Sequence, residues 1–219
     1  MDPFIPVDYY DIVASLTETE RAVYAKARTF VDNEVIPIIG QHFRDATYPD
    51  HLARRMGELG FFGPHLEGYG CPGLNNIAYG LIMQELDRAD AGVRSLASVQ
   101  GSLALYAIHQ FGSETQKEKW VPGLASGELL GCFALTERNH GSDPSSMECT
   151  ARLDGDHYIL NGNKRWIGNA TVADVKVIWA KDEAGHVGAY VVEQDSPGFR
   201  AEVIEGKFSL RTSRTCEVW

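Results

Sequence analysis

Positive charge is in short supply in this chain. Lys and Arg total 20 against 30 Asp and Glu, a net charge of −10 over 219 residues. Binding to a phosphate backbone needs clustered Lys and Arg, so nucleic acid is excluded as a bulk partner, although a local basic site for a small anion is not. Cysteine is scarce too. Cys71, Cys132, Cys149 and Cys216 show no CxxC spacing, which argues against a zinc site or a disulfide frame. They read as buried or free thiols in a reducing compartment, a bacterial cytoplasm or an organelle matrix. No apolar run reaches the ~18 residues of a membrane span, so no membrane insertion is expected. The opening MDPFIPVDYYD is acidic and lacks the basic and apolar regions of a secretory leader. G-x-S-x-G, H-E-x-x-H and P-loop patterns are absent, and His140 and His186 have no partners at ligand spacing, so no metal site is expected.

What is present is ordinary globular composition, 44% hydrophobic and 23% charged. Residues 1–127 read as helices. Thr17-Glu18-Thr19-Glu20 is a capping box, followed by Val23, Ala27, Phe30, Val31 and Val35 at helical spacing, with Pro37 expected to end the run. Pro49 suits the first turn of a second helix carrying Leu52, Met56 and Leu59. Asn75 or Asn76 can cap a third, and Val93–Phe111 reads as a fourth. Ser113-Glu114-Thr115-Gln116 is a second capping box, opening a helix expected to stop near Pro122-Gly123. Gly68-Tyr69-Gly70-Cys71-Pro72-Gly73 fits G-x-G-x-x-G, but no strand precedes it and Pro72 interrupts it, so it reads as a loop between helices.

From Leu129 the apolar runs become short, β-branched and aromatic. Glu148–Leu153 and Tyr158–Asn161 flank Asp154-Gly155, a hairpin signal. Runs at 164–167, 175–180, 188–192 and 199–204 follow, separated by Gly, Asp or Pro. The expectation is an α+β chain, with an all-α domain over 1–127 and an antiparallel, barrel-like β domain over 128–219. The last residues, Glu217-Val218-Trp219, read as an unfinished strand. Truncation is favoured over a closing edge strand.

Two stretches suggest a ligand. Leu135–Ser146 leaves a strand with Thr136 and Ser142 hydroxyls and a run of turn formers. Lys164-Arg165-Trp166-Ile167-Gly168-Asn169 puts a Trp at a strand end. A Trp there fills a β core more often than it faces a ligand. Beside a donor-rich loop, it is also what a flat heteroaromatic ring requires. Asp87 and Arg94, seven apart, share a helix face if Gly92 does not interrupt it. They are either a solvated pair or an Arg held to bind a carboxylate through its planar fork.

Together LTERNHGSD, KRWIGN and KFSLR (207–211) resemble the acyl-CoA dehydrogenase family of flavoproteins, from about Leu16 to the end. Residues 89–103 and 132–147, with Arg94-Ser95, look most like its glutaryl-CoA dehydrogenase branch. The resemblance implies a helical domain, a β domain and a C-terminal helical bundle, the last of which is missing here, and a homotetramer. It implies FAD held at its pyrimidine edge by the backbone of Phe133, Leu135 and Thr136 and by the Thr136 hydroxyl. Trp166 would lie against the ring, with Ile167 and Gly168 lining it. Ser142 would meet the acyl-CoA, and Arg94 and Ser95 would read a distal carboxylate. Electrons would pass to an electron-transfer flavoprotein, or to oxygen in oxidase-type relatives that carry Gly at the position of Gly168. Arg138 stands where the family usually has Pro, and Gly168 where it usually has Thr. The family's catalytic Glu belongs to the missing bundle, so the chain alone is expected to be inactive. The rival reading is a non-catalytic binding or assembly module.

Overall fold

A computed structural model describes residues 8–219, so the first seven residues of the acidic opening lie outside the described residues. A short helix α1 (Ile12–Ser15) leads into α2 (Glu18–Phe30). The Thr17 box forms: Glu20 N–H donates to Thr17 Oγ1 and Thr17 N–H to the Glu20 carboxylate. Pro37 does not end the helical run. A π turn over Val31–Val35 hands the chain to α3 (Ile36–Asp45), with Pro37 in the first turn of α3, where its missing N–H is not needed. Next come α4 (His51–Glu58) and a ribbon of β1 (Glu67–Gly68) and β2 (Cys71–Pro72). The ribbon occupies the glycine motif, and the following helix α5 (Asn76–Ala89) is capped independently by the Asn75 side chain.

The expected fourth helix, 93–111, forms as one helical run with a π stretch in its middle. α5 ends at Asp90, which caps α6 (Ala91–Ser98) by accepting from the N–H groups of Gly92 and Val93. A π turn, Val99–Ala104, then joins α6 to α7 (Leu105–Phe111). The second capping box opens α8 (Glu114–Ser126), which runs through Pro122 and stops at Gly127 in the left-handed region, φ 72°. Val121, Leu124 and Ala125 are buried, and their packing outweighs the bond Pro122 cannot make.

The β half holds β3 (Gly131–Ala134), β4 (Thr150–Asp154), β5 (His157–Asn161), β6 (Lys164–Gly168), β7 (Val175–Lys181), β8 (Val187–Glu193), β9 (Ala201–Val203) and β10 (Thr215–Val218). One sheet runs β3-β7-β4-β5, with β8 on β7; the other runs β6-β10-β9. Pairing is antiparallel at the β4–β5 hairpin, β7–β8, β10–β6 and β10–β9. It departs from expectation at β3–β7, which is parallel, and at a single parallel contact of β4 with β7. The long excursion between β3 and β7 supplies the crossover that parallel strands need. The sheets do not close into a barrel among the described residues.

Three cores follow. Phe30, Leu52, Met56, Phe61, Ile82 and Leu86 fill the helical half. Cys132, Ala151, Ile167, Ala180 and Cys216 fill the β half. Between them Leu105, Ile108, Val121 and Leu124 pack on Val175 and Val177 of β7. Burying such side chains contributes about 1.5–3 kcal/mol each, so the two halves share one interface core. No helix among the described residues is long and apolar enough to cross a membrane.

Candidate functional site

Strand β6 carries a local defect that decides the site. Cys216 of β10 pairs with Ile167, and Val218 pairs with Lys164. One β10 residue, Glu217, therefore faces both Arg165 and Trp166. That is a β-bulge, and bulges re-aim side chains. Trp166 takes φ 65°, rare for a bulky residue, and is 53% exposed. Of the two sequence readings of Trp166, the core reading fails. Its neighbour Ile167 is 2% exposed and belongs to the β core. The guanidinium of Arg165 lies 4.7 Å from the Trp166 ring centroid.

The freed indole faces a cavity of about 580 Å³ between the two halves of the chain. Ser95 and Val99, one turn apart, contribute from α6 and the π turn; Trp166 and Gly168 contribute from β6; Lys207 and Phe208 contribute from the excursion between β9 and β10. Gly168 is matched to its surroundings. A Cβ there would sit 3.3 Å from Val99 Cγ2, so Val99 fills the space a side chain would take. The buried Nδ2 of Asn169, one residue on, has no hydrogen-bond partner.

The loop after β3 is held to the start of β6 by a pair that sequence reasoning missed. Glu137 and Lys164 are buried at 6% and 2% exposure. Lys164 Nζ donates to Glu137 Oε1 at 2.8 Å and to the carbonyl of Leu135 at 3.0 Å. The N–H groups of Glu148 and Cys149 also donate to the Glu137 carboxylate, at 2.6 and 2.9 Å. Burial pushes the Glu137 carboxyl up, but the Lys164 ammonium and these N–H donors outweigh it and hold it below the usual carboxylate range. Arg165 N–H donates to the Thr136 carbonyl at 2.8 Å, tying the loop to the bulge itself. A Lys opening an apolar strand was the one available signal. Nothing in the sequence paired it with a Glu 27 residues earlier.

The anticipated residues thus divide. Ser95, Trp166 and Gly168 share the cavity. Leu135 and Thr136 are half-buried on the stapled loop, and Phe133 is half-buried with its ring edge-on to Trp179. Ser142 is exposed at the loop tip. Arg94 is brought to Asp87, Nε to Oδ1 3.0 Å, although Asp90 breaks the helix between them. Arg138 projects from the loop to Glu217 at 2.5 Å and, with Arg165, keeps that carboxyl below its ordinary range. Glu137, His140 and Glu148 approach within 4.8 Å of one another. Since Lys164 and two N–H groups already occupy the Glu137 carboxylate, this trio is loop framework. The four cysteines are free thiols, and burial pushes Cys132 up to about 12 and Cys71 up to about 11, so neither is a ready thiolate.

A half-exposed indole and a glycine where the strand meets a helix, both on the cavity wall, suit one face of a flat heteroaromatic ring. Comparison with known proteins agrees in kind. The acyl-CoA dehydrogenase N-terminal domain family matches residues 17–128, and the acyl-CoA dehydrogenase middle domain family matches residues 132–219. The short-chain specific acyl-CoA dehydrogenase of Bos taurus mitochondria is 36% identical over 208 residues, covering 93% of this chain and 50% of that protein. Isovaleryl-CoA dehydrogenase of Pongo abelii is 34% identical, covering 98% and 52%. A glutaryl-CoA dehydrogenase from Mycobacterium smegmatis, solved in complex with FADH2, superposes with a TM-score of 0.95 at 44% identity over 99% of this chain and 56% of that one. The chain spans about half the length of the curated relatives it matches.

Proposed function

The chain belongs to the acyl-CoA dehydrogenase family, and on that premise we propose that it forms the helical and β portions of an FAD-dependent dehydrogenase oxidising the α,β-bond of an acyl-CoA thioester. The observation that carries this reading is the bulge that turns Trp166 out into a cavity shared with Ser95 and Gly168. Trp166 is the platform for the flavin ring. The backbone of Phe133, Leu135 and Thr136, with the Thr136 hydroxyl, holds its pyrimidine edge. Ile167, whose side chain is buried in the β core, takes part through its backbone, and Gly168 lines the ring beside Val99. When bound, FAD supplies the acceptor for a hydride leaving the β-carbon. This chain's residues bind and orient. Val99 and Trp166 give the cavity apolar surface, and Ser142 reaches the thioester side from the loop tip.

The preferred acyl group is glutaryl-like, with Arg94 and Ser95 reading its distal carboxylate and decarboxylation to a crotonyl product following. The Mycobacterium smegmatis likeness and the position of Ser95 on the cavity wall support that choice. An electron-transfer flavoprotein is the proposed acceptor and a homotetramer the proposed assembly, in a reducing compartment. Gly168 favours one second reading, with oxygen as acceptor, because it presents no hydroxyl beside the ring. We place the domain boundary at residues 127/128.

Titration of FAD into the purified chain tests the reading, because flavin fluorescence falls as the ring stacks on an indole. Trp166→Ala should weaken binding by about 1–3 kcal/mol, the usual worth of one stacking platform. FAD affinity identical in the two proteins, or no binding by the wild type, would overturn it.

A further inference from the structure

The excursion between β9 and β10 is tied down more firmly than an exposed loop needs. Its neck closes where Ile204 N–H donates to Thr215 O at 2.8 Å. Inside it, Lys207 Nζ donates to Leu210 O at 2.7 Å, Ser213 O at 2.5 Å and Thr215 Oγ1 at 2.8 Å. The apolar side chains of the loop tip do not hold it: Phe208 is fully exposed, and Leu210 is 36% exposed with φ 51°.

Its outer hold comes from Arg211, which reaches into the helical half. Nε donates to Phe43 O and Nη2 to Arg44 O, both at 2.9 Å, while Nη1 returns to Lys207 O at 3.1 Å. Phe43 and Arg44 lie in the last turn of α3, whose carbonyls carry partial negative charge, and Phe43 O otherwise accepts only a long 3.4 Å bond from Ala46 N–H. A guanidinium fork satisfies two of them and still reaches the loop. The next residue, Thr212, is fully buried, and its hydroxyl donates to Asp90, the cap of the helix that carries Ser95. The wall opposite Trp166 is therefore fastened to the helical half at two adjacent residues. Lys207, Phe208, Leu210 and Ser213 all line the Trp166 cavity.

We propose that Arg211 is a positioning residue: by bridging the end of α3 to Lys207, it holds residues 205–210 over Trp166 and sets the affinity of the ring that the cavity binds. This rests on the flavin reading of the cavity. The physical claim is pre-organisation. A loop that spends only part of its time in place lowers apparent affinity by that fraction.

The test uses the whole 219-residue chain, with hydrogen exchange and FAD titration on the same samples. Arg211→Ala should speed amide exchange across 205–210 and weaken FAD by about tenfold, matching a loop in place about a tenth of the time. Arg211→Lys keeps the charge but not the fork and should recover only part of either effect. Arg214→Ala is the control. It breaks another tie between the halves, Arg214 to Asp50 at 2.6 Å, without touching 205–210. It should leave loop exchange and FAD affinity within about twofold of wild type. Unchanged loop exchange in Arg211→Ala would overturn the proposal. So would an FAD loss no larger than that of Arg214→Ala at equal fraction folded, which would make Arg211 merely structural. Wild-type FAD binding that ignores Trp166→Ala would sink the flavin reading instead, and the exchange data would still decide for or against the strap.

Discussion

Arg94 shows how far one side chain can be read. Its Nε–Asp87 contact of 3.0 Å lies at the surface, with side chains 35% and 54% exposed, and a pair like that is worth under about 1 kcal/mol. If the same guanidinium turns to a substrate carboxylate in a closed pocket, Arg94→Gln in any catalytically active form containing this chain should cost about 2–5 kcal/mol in kcat/KM for glutaryl-CoA. Butyryl-CoA turnover should barely change. Small equal losses on both substrates would leave Arg94 a surface residue. Glu137 and Lys164 make a different prediction. Leaving either charge buried alone costs about 3–5 kcal/mol, so Glu137→Gln and Lys164→Met should each lower the urea midpoint strongly, and the double variant should recover much of it. The Glu137 carboxyl titrates lower in the folded state than unfolded. Its contribution is therefore fully present above the unfolded value of about 4.3 and lost as pH falls through the folded one. Urea unfolding from pH 7 down to pH 3 should show wild-type stability falling more steeply than in Glu137→Gln; parallel curves would refute the assignment. Residue pattern singled out Arg94 and Trp166 in the sequence, and the resemblance suggested roles for them. The staple at Glu137 was not legible there, because a buried ion pair is defined by what surrounds it.

Elements were more legible where local chemistry ends them. The Thr17 and Ser113 boxes and the Asn75 cap are decided within a few residues, and each forms. The two prolines were misread for one reason: a helix boundary is set by the net of local loss and tertiary packing. Pro37 is accommodated behind a π turn, and Pro122 is carried by buried neighbours. The true stop of α8 is Gly127, whose φ is 72° and whose added Cβ would lie 2.8 Å from Ala53 O. Gly127→Ala should therefore destabilise by at least about 1–2 kcal/mol, the left-handed penalty alone, as read by thermal unfolding. A neutral effect would mean that α4 and α8 can separate at no cost.

At the scale of the molecule, the shared core on β7 joins the helical and β halves into one frame with the cavity at their seam. The chain spans about half the length of its relatives, and if its role is the ring platform proposed above, it should not complete the reaction by itself. We expect no reduction of a dye acceptor by the chain with FAD and glutaryl-CoA or butyryl-CoA. Any turnover would overturn this, and its loss in Glu205→Gln, which removes a carboxylate on the cavity wall, would point to a base within these residues. The sequence by itself determined the α-then-β order, the caps, the hairpin and the family likeness, because each depends on neighbours in the chain or on a motif of fixed spacing. Only the tertiary structure decided that β3 and β7 run parallel, that Glu137 pairs with Lys164, and that Trp166 faces outward. The last depends on Glu217, 51 residues on from Trp166, being set against two residues of β6, and strand register is fixed by packing across the sheet.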